Sequence, residues 1–188
     1  AARRTAKLTG QLLAFSRKQV LAPEAVDLDE AVHSLELILR HTIPENIELQ
    51  FTLAAPSPVL FDPSQIDQIV MDLVVHARDS MPDGGMLSIE TAEVEFGEDD
   101  PRPPEMQPGR YMRLSIEDTG FGMALAAVGH VFEPFFTTKS VGTGSGLGLA
   151  TVYGIARQGG GGVEVRSTPE EGTRFDVYLP VATEAPPE

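Results

Sequence analysis

The segment Gly142-Thr143-Gly144-Ser145-Gly146-Leu147-Gly148-Leu149 runs straight into an apolar stretch of helical character that begins at Ala150. Such a junction constrains the fold, because a glycine-rich run holds neither helix nor strand well and so places a loop directly before a helix N-terminus. Glycines in that position let the backbone approach a ligand closely, and the first free N–H groups and positive dipole end of the helix favour phosphate. Taken alone, the same run also describes an ordinary surface loop. A second short motif upstream, Asp118-Thr119-Gly120-Phe121-Gly122, sharpens the reading.

The 188 residues, 41% of them hydrophobic, suffice for one good core with a helical appendage. With 28 acidic against 14 basic residues the formal charge is -14, which argues against a nucleic-acid or anionic-membrane surface. A polyphosphate would therefore be held locally by backbone N–H groups, a metal ion and a few basic side chains. The absence of cysteine removes disulfides, thiolate chemistry and cysteine-based metal sites, in keeping with a cytoplasmic setting. No apolar run approaches 18 residues, so direct membrane contact is not expected of this piece, although a longer parent could be membrane-anchored.

Along the chain, Leu8, Leu12 and Phe15 recur at helical intervals, so one long helix is expected over residues 1–22, with an apolar stripe that needs a partner. Residues 23–26 read as a short linker. Asp27 and Glu30 suggest a capping box for a helix to about Arg40, with Leu28, Val32, Leu35 and Leu39 toward the core. Ile47, Leu49, Phe51 and Leu53 alternate as a half-buried strand does, and Val59-Leu60-Phe61 suggests a short second one. Asp62 as N-cap and Pro63 in the first turn open a helix to about Met81, with Ile66, Ile69, Val70, Leu73 and Ala77 on its apolar face.

Pro82-Asp83-Gly84-Gly85 is a turn between that helix and a strand through Leu87, Ile89 and Thr91. After a proline-rich loop, a strand containing Met112, Leu114 and Ile116 leaves Asp118 at its end. The stretch from Phe121 to Gly146 is irregular, as functional lids are. A helix over 147–158, a glycine turn and two final strands follow, and residues 181–188 are expected as a disordered tail. The alternation predicts an α+β fold: a two-layer α/β sandwich whose mixed sheet is covered by helices on one face, spanning residues 23–180.

The acidic helix over 62–81, Asp118 to Gly122, Phe132-Glu133-Pro134-Phe135-Phe136-Thr137-Thr138-Lys139 and the Gly142 to Gly148 loop together resemble, in register, the ATP-binding domain of bacterial sensor histidine kinases. The resemblance implies the Bergerat-type fold shared with gyrase, Hsp90 and MutL, with ATP and Mg2+ as cofactors. It implies that Asp118 accepts a hydrogen bond from the exocyclic amine of adenine, that Gly120 and Gly122 leave room for the base, and that Thr173 supports the site. It further implies that Gly144, Ser145, Gly146, Leu147 and Gly148 meet the phosphates, that Phe135 and Phe136 pack the lid, and that Lys139 reaches phosphate.

Residues 1–22 resemble the second helix of the family's dimerisation and phosphoacceptor hairpin. The acceptor histidine would sit on a helix that is not in this sequence, since His33, His41, His76 and His130 lie in no matching context. The resemblance implies an acceptor-histidine helix and a response regulator as partners, and a homodimeric parent.

The sequence departs from the family in the helix motif that usually carries two asparagines four apart, the second of them a magnesium ligand. Here Asp72 and His76 stand at those places, on one helix face. Magnesium prefers hard oxygen donors, so an imidazole is a poor substitute. Three outcomes stay open: loss of turnover, giving a degenerate nucleotide-binding module; magnesium held by Asp72, water and phosphates; or a site suited to another metal. A protonated His76 could instead contact phosphate, and Asp72 could activate water as a glutamate does in the gyrase and Hsp90 branch. Arg78 is a candidate phosphate contact or a surface ion pair.

Overall fold

The computed structural model describes residues 22–136 and 146–182. The expected N-terminal helix, Lys139, Gly144, Ser145 and the tail beyond Ala182 lie outside the described residues. The elements in chain order are β1 (Glu24–Val26), α1 (Leu28–Thr42), β2 (Ile47–Thr52), β3 (Val59–Phe61), α2 (Pro63–Ser80), β4 (Gly85–Phe96), β5 (Gly109–Asp118), α3 (Leu125–Val128), α4 (Gly148–Gln158), β6 (Gly162–Thr168) and β7 (Gly172–Pro180). Among the described residues, no helix is long and apolar enough to cross a membrane.

Local chemistry sets the helix starts. Asp27 caps α1 by accepting the Asp29 and Glu30 amides at 2.9 and 3.1 Å, and Arg40 and His41 oppose the negative dipole end in the last turn. Asp62 caps α2 by accepting the Ser64 amide at 2.9 Å, with Pro63 at the first helical position. Leu28, Val32, Leu35 and Leu39 of α1 are buried, as are Ile66, Ile69, Val70, Leu73 and Ala77 of α2. Each of the valine, leucine and isoleucine side chains contributes about 1.5–3 kcal/mol when withdrawn from water, which is what holds otherwise marginal helices in place.

The main sheet has the order β2-β4-β5-β7-β6, with β2 parallel to β4 and every other pair antiparallel. It is the mixed sheet expected. Directly opposed residues share a face, and the register aligns Ile89 with Ile116 and Phe175, and Thr91 with Leu114 and Val177. These rows are buried beneath the helices, with α1 packed on α2 and α2 on α4. Leu87, Asp118 and Thr173 form the next row on the same face, so the period of two aims the Asp118 side chain at the helices.

Two details correct the sequence reading. Residues 24–26 are a strand rather than a linker, pairing antiparallel with β3, and Val181 extends that region by a bridge to Val59 while the Ala182 amide reaches the Pro58 carbonyl at 2.8 Å. The body thus runs past the boundary placed at residue 180.

The face away from the helices is polar. Asp176 is fully buried there by Arg166, Arg174 and Ser115. Burial alone would raise its pKa, but the Ser115 hydroxyl and the two guanidiniums outweigh it and hold the carboxyl below its ordinary value. The loop between β4 and β5 caps the other end of this face, where Met106, Tyr111 and Tyr178 form a small second apolar cluster.

Candidate functional site

Asp118 ends β5 and is 2% exposed, a cost that only specific hydrogen bonding makes tolerable. Its Oδ1 accepts the Ser80 hydroxyl at 2.8 Å and the Gly120 amide at 2.9 Å. Burial pushes its pKa up, against the stabilising pull of Ser80 and of the Gly120 and Thr173 amides, and the nearby Glu117 adds to the rise. A buried carboxylate accepts but cannot donate, so it is suited to an amine and unsuited to meet a carbonyl.

The surroundings of Asp118 are built by neighbouring turns. Thr173 lies opposite it across β5 and β7, buried, with its hydroxyl 2.8 Å from that of Ser167. Gly122 is buried in the turn that follows, at φ +62. Thr119 ties the same turn to β4 by accepting the Met86 amide at 2.9 Å. Asp118, Gly120, Gly122 and Thr173 therefore come together as expected.

The second half of the site centres on the start of α4. Leu147 occupies its N-cap position with no side-chain cap, and its carbonyl receives the Thr151 amide and hydroxyl at 2.8 and 2.9 Å. First-turn amides of a helix are the groups that bind phosphate oxygens. Gly146, at φ +64, precedes this turn and accepts the Phe135 amide at 2.8 Å, joining the lid segment to the helix start.

Asp72 faces the same helix start: a β-carbon on Gly148 would sit 3.5 Å from the Asp72 carboxyl carbon. Its pKa is raised by burial and partly restored by the Gln68 amide group, which donates to Oδ2 at 2.8 Å. His76, one turn along, lies edge-on to the Phe175 ring at 5.4 Å. Arg78 is engaged by Asp79 at 2.7 Å, the ion-pair alternative of its two sequence readings. Among the described residues, no three histidine, aspartate or glutamate side chains gather into a metal cage.

Phe135, expected to be a packing residue, is 53% exposed. Phe132 is the packed ring, stacked on Tyr153 of α4 at 5.3 Å and edge-on to Phe175 at 6.2 Å, in the core row that His76 also touches. Phe136 is half-buried and lies 6.0 Å from His130. Ser80 is the functional-site residue that sequence reasoning missed: a serine closing an apolar helix face shows nothing of its contact 38 residues away.

Residues 61–183 match the profile of the histidine kinase-, DNA gyrase B-, and HSP90-like ATPases. The chain belongs to this family. Within the family, the sensor kinase CckA of Brucella abortus (strain 2308) is 39% identical over 181 residues, covering 95% of this chain and 19% of CckA. The sensor histidine kinase ZraS of Escherichia coli (strain K12) is 32% identical over 177 residues, covering 93% of this chain and 35% of ZraS. The chain thus spans about a fifth to a third of these relatives' length. Among solved structures, the mycobacterial sensor histidine kinase MprB superposes with a TM-score of 0.65 at 28% identity, covering 85% of this chain and 98% of that one. With these relatives, the chain is an ATPase-family domain of the histidine-kinase branch.

Proposed function

We propose that this domain binds ATP with adenine against Asp118 and the phosphates at the start of α4, and moves the γ-phosphoryl group to a histidine on a separate helix of a sensor kinase. The observation that carries this reading is the buried Asp118 carboxylate, held by Ser80 and Gly120 on the same helix-covered face that presents the N-terminus of α4. Its chemistry is mainly positioning. The base is read by an acceptor, the phosphates meet main-chain amides of residues 144–148, and Lys139 supplies a positive charge.

Mg2+ fits this donor set in a restricted way. Asp72 offers a hard oxygen beside the α4 start, whereas His76 offers nitrogen and packs against Phe175. Asp72 would hold the ion together with phosphate oxygens and water, and the ion would neutralise charge on the transferred group. His76 then serves as a packing residue where the family usually places a ligand. The parent would be a homodimer that passes its phosphoryl group to a response regulator, the usual consequence of this chemistry.

Phosphotransfer from ATP to a supplied acceptor-histidine helix tests the reading, with wild type and His76→Asn compared over a magnesium titration. Transfer by the wild type supports a kinase that manages magnesium through Asp72. Transfer only by His76→Asn would instead establish a nucleotide-binding module whose catalysis has been lost at that position. ATP hydrolysis without transfer, abolished by Asp72→Asn, would replace the kinase by a water-activating ATPase.

A further inference from the structure

Ser80 is the last residue of α2, 4% exposed, and its hydroxyl lies 2.8 Å from Asp118 Oδ1 and 2.7 Å from the Ala77 carbonyl. One hydroxyl has one proton to give, so these acceptors compete for it. An ionised carboxylate is the stronger acceptor, and the proton goes to Asp118 whenever that group is charged. The end of α2 is tied to the loop after β5 a second time, because the Phe121 amide donates to the Ser80 carbonyl at 3.1 Å. Space between them is minimal: a β-carbon on Gly120 would lie 2.4 Å from both the Ser80 carbonyl oxygen and its hydroxyl.

We infer that Ser80 is a positioning and specificity residue for the base: by donating to Oδ1 together with the Gly120 amide, it turns the Asp118 carboxylate so that Oδ2 is left to accept from an amino group. The inference rests on the ATP reading of the site and adds to it a discriminator carried on a different element. Adenine presents a donor to that carboxylate, and its ionised form suits the Ser80 proton. A purine with a carbonyl at the same place, such as hypoxanthine or guanine, would need a protonated Asp118, which withdraws the charge that makes the Ser80 bond strong. Ser80 therefore penalises the wrong base without touching it. The expected mark of its loss is a narrower choice between bases, with phosphate binding left in place.

The test is calorimetric titration of the full chain with ATP and with inosine triphosphate, for wild type, Ser80→Ala and Ser80→Cys, each checked by thermal melting. Ser80→Ala is expected to weaken ATP about tenfold and inosine triphosphate less than about twofold, so the ratio narrows about five- to tenfold. Cysteine, a weaker donor of similar size, is expected to fall between, and it carries the test if the alanine variant melts. Equal weakening of both nucleotides, or an unchanged ratio, would overturn the inference and leave Ser80 a structural residue. Wild-type protein that binds neither nucleotide would overturn the ATP reading and this inference with it.

Discussion

Gly172 begins β7 at φ +109, directly beneath the end of the strand that carries Asp118. A β-carbon there would lie 1.9 Å from the Asp118 carbonyl oxygen, 2.9 Å from its carbon and 3.0 Å from the Thr119 Cα. All three are backbone atoms, so no side chain can swing aside, and the strand end must move by more than an ångström. Gly172→Ala is therefore expected to cost about 1–2 kcal/mol for the left-handed backbone and about 1–3 kcal/mol for the overlap. For a domain of this size that sum, about 2–5 kcal/mol, lowers the melting temperature by roughly 4–20 °C. Thermal unfolding followed by circular dichroism reads the shift. ATP titration should show weakened binding as well, because the displaced backbone carries the base-reading carboxylate. A variant that melts within about one degree of wild type and binds ATP normally would refute the packing argument.

Gly154 makes the opposite case: it lies inside α4, and a β-carbon on it would meet nothing within 4 Å. Gly154→Ala should stabilise the protein by about 0.5–1 kcal/mol through helix propensity, measurable as a raised denaturation midpoint. Asp72 supplies a pH prediction. Its folded pKa is raised by burial, so the folded state holds this proton where the unfolded chain has released it, and stability falls as pH rises through that interval. Asp72→Asn should accordingly melt above wild type at neutral pH, with the gap closing as pH falls below the ordinary carboxylate value of 3.8. A gap that widens on acidification would reverse the assignment.

Much of the fold was readable because its elements are governed locally. The caps at Asp27 and Asp62, the helical spacing of Leu28 to Leu39 and Ile66 to Ala77, and the alternation in β5 each depend on neighbours in sequence. Strand β1 was missed because three residues carry no usable period, and its partner β3 lies beyond α1 and β2. Asp176 was equally invisible: an acidic residue alternating with apolar ones looks solvent-facing, and only the sheet brings Arg166, Arg174 and Ser115 to cover it. At the site, Asp118 stood out as a carboxylate at a strand end followed by glycines. Its hydroxyl partner on α2 did not, since the pairing exists only once helix and sheet are packed. Packing of Phe132 rather than Phe135 is likewise a tertiary result, set by the Tyr153 ring on α4.

In the proposed site, Asp118 reads an amino group while Ser80 and Gly120 donate to its other oxygen. In Asp118→Asn those two donors would draw the amide oxygen toward themselves and turn the NH2 group toward the base, donor against donor for adenine and donor to acceptor for hypoxanthine. Calorimetry with ATP and inosine triphosphate should show wild type favouring ATP and Asp118→Asn reversing the preference, with ATP weakened about a hundredfold. Wild-type protein giving no heat with millimolar ATP, or a variant that keeps the original preference, would rule out base reading by Asp118.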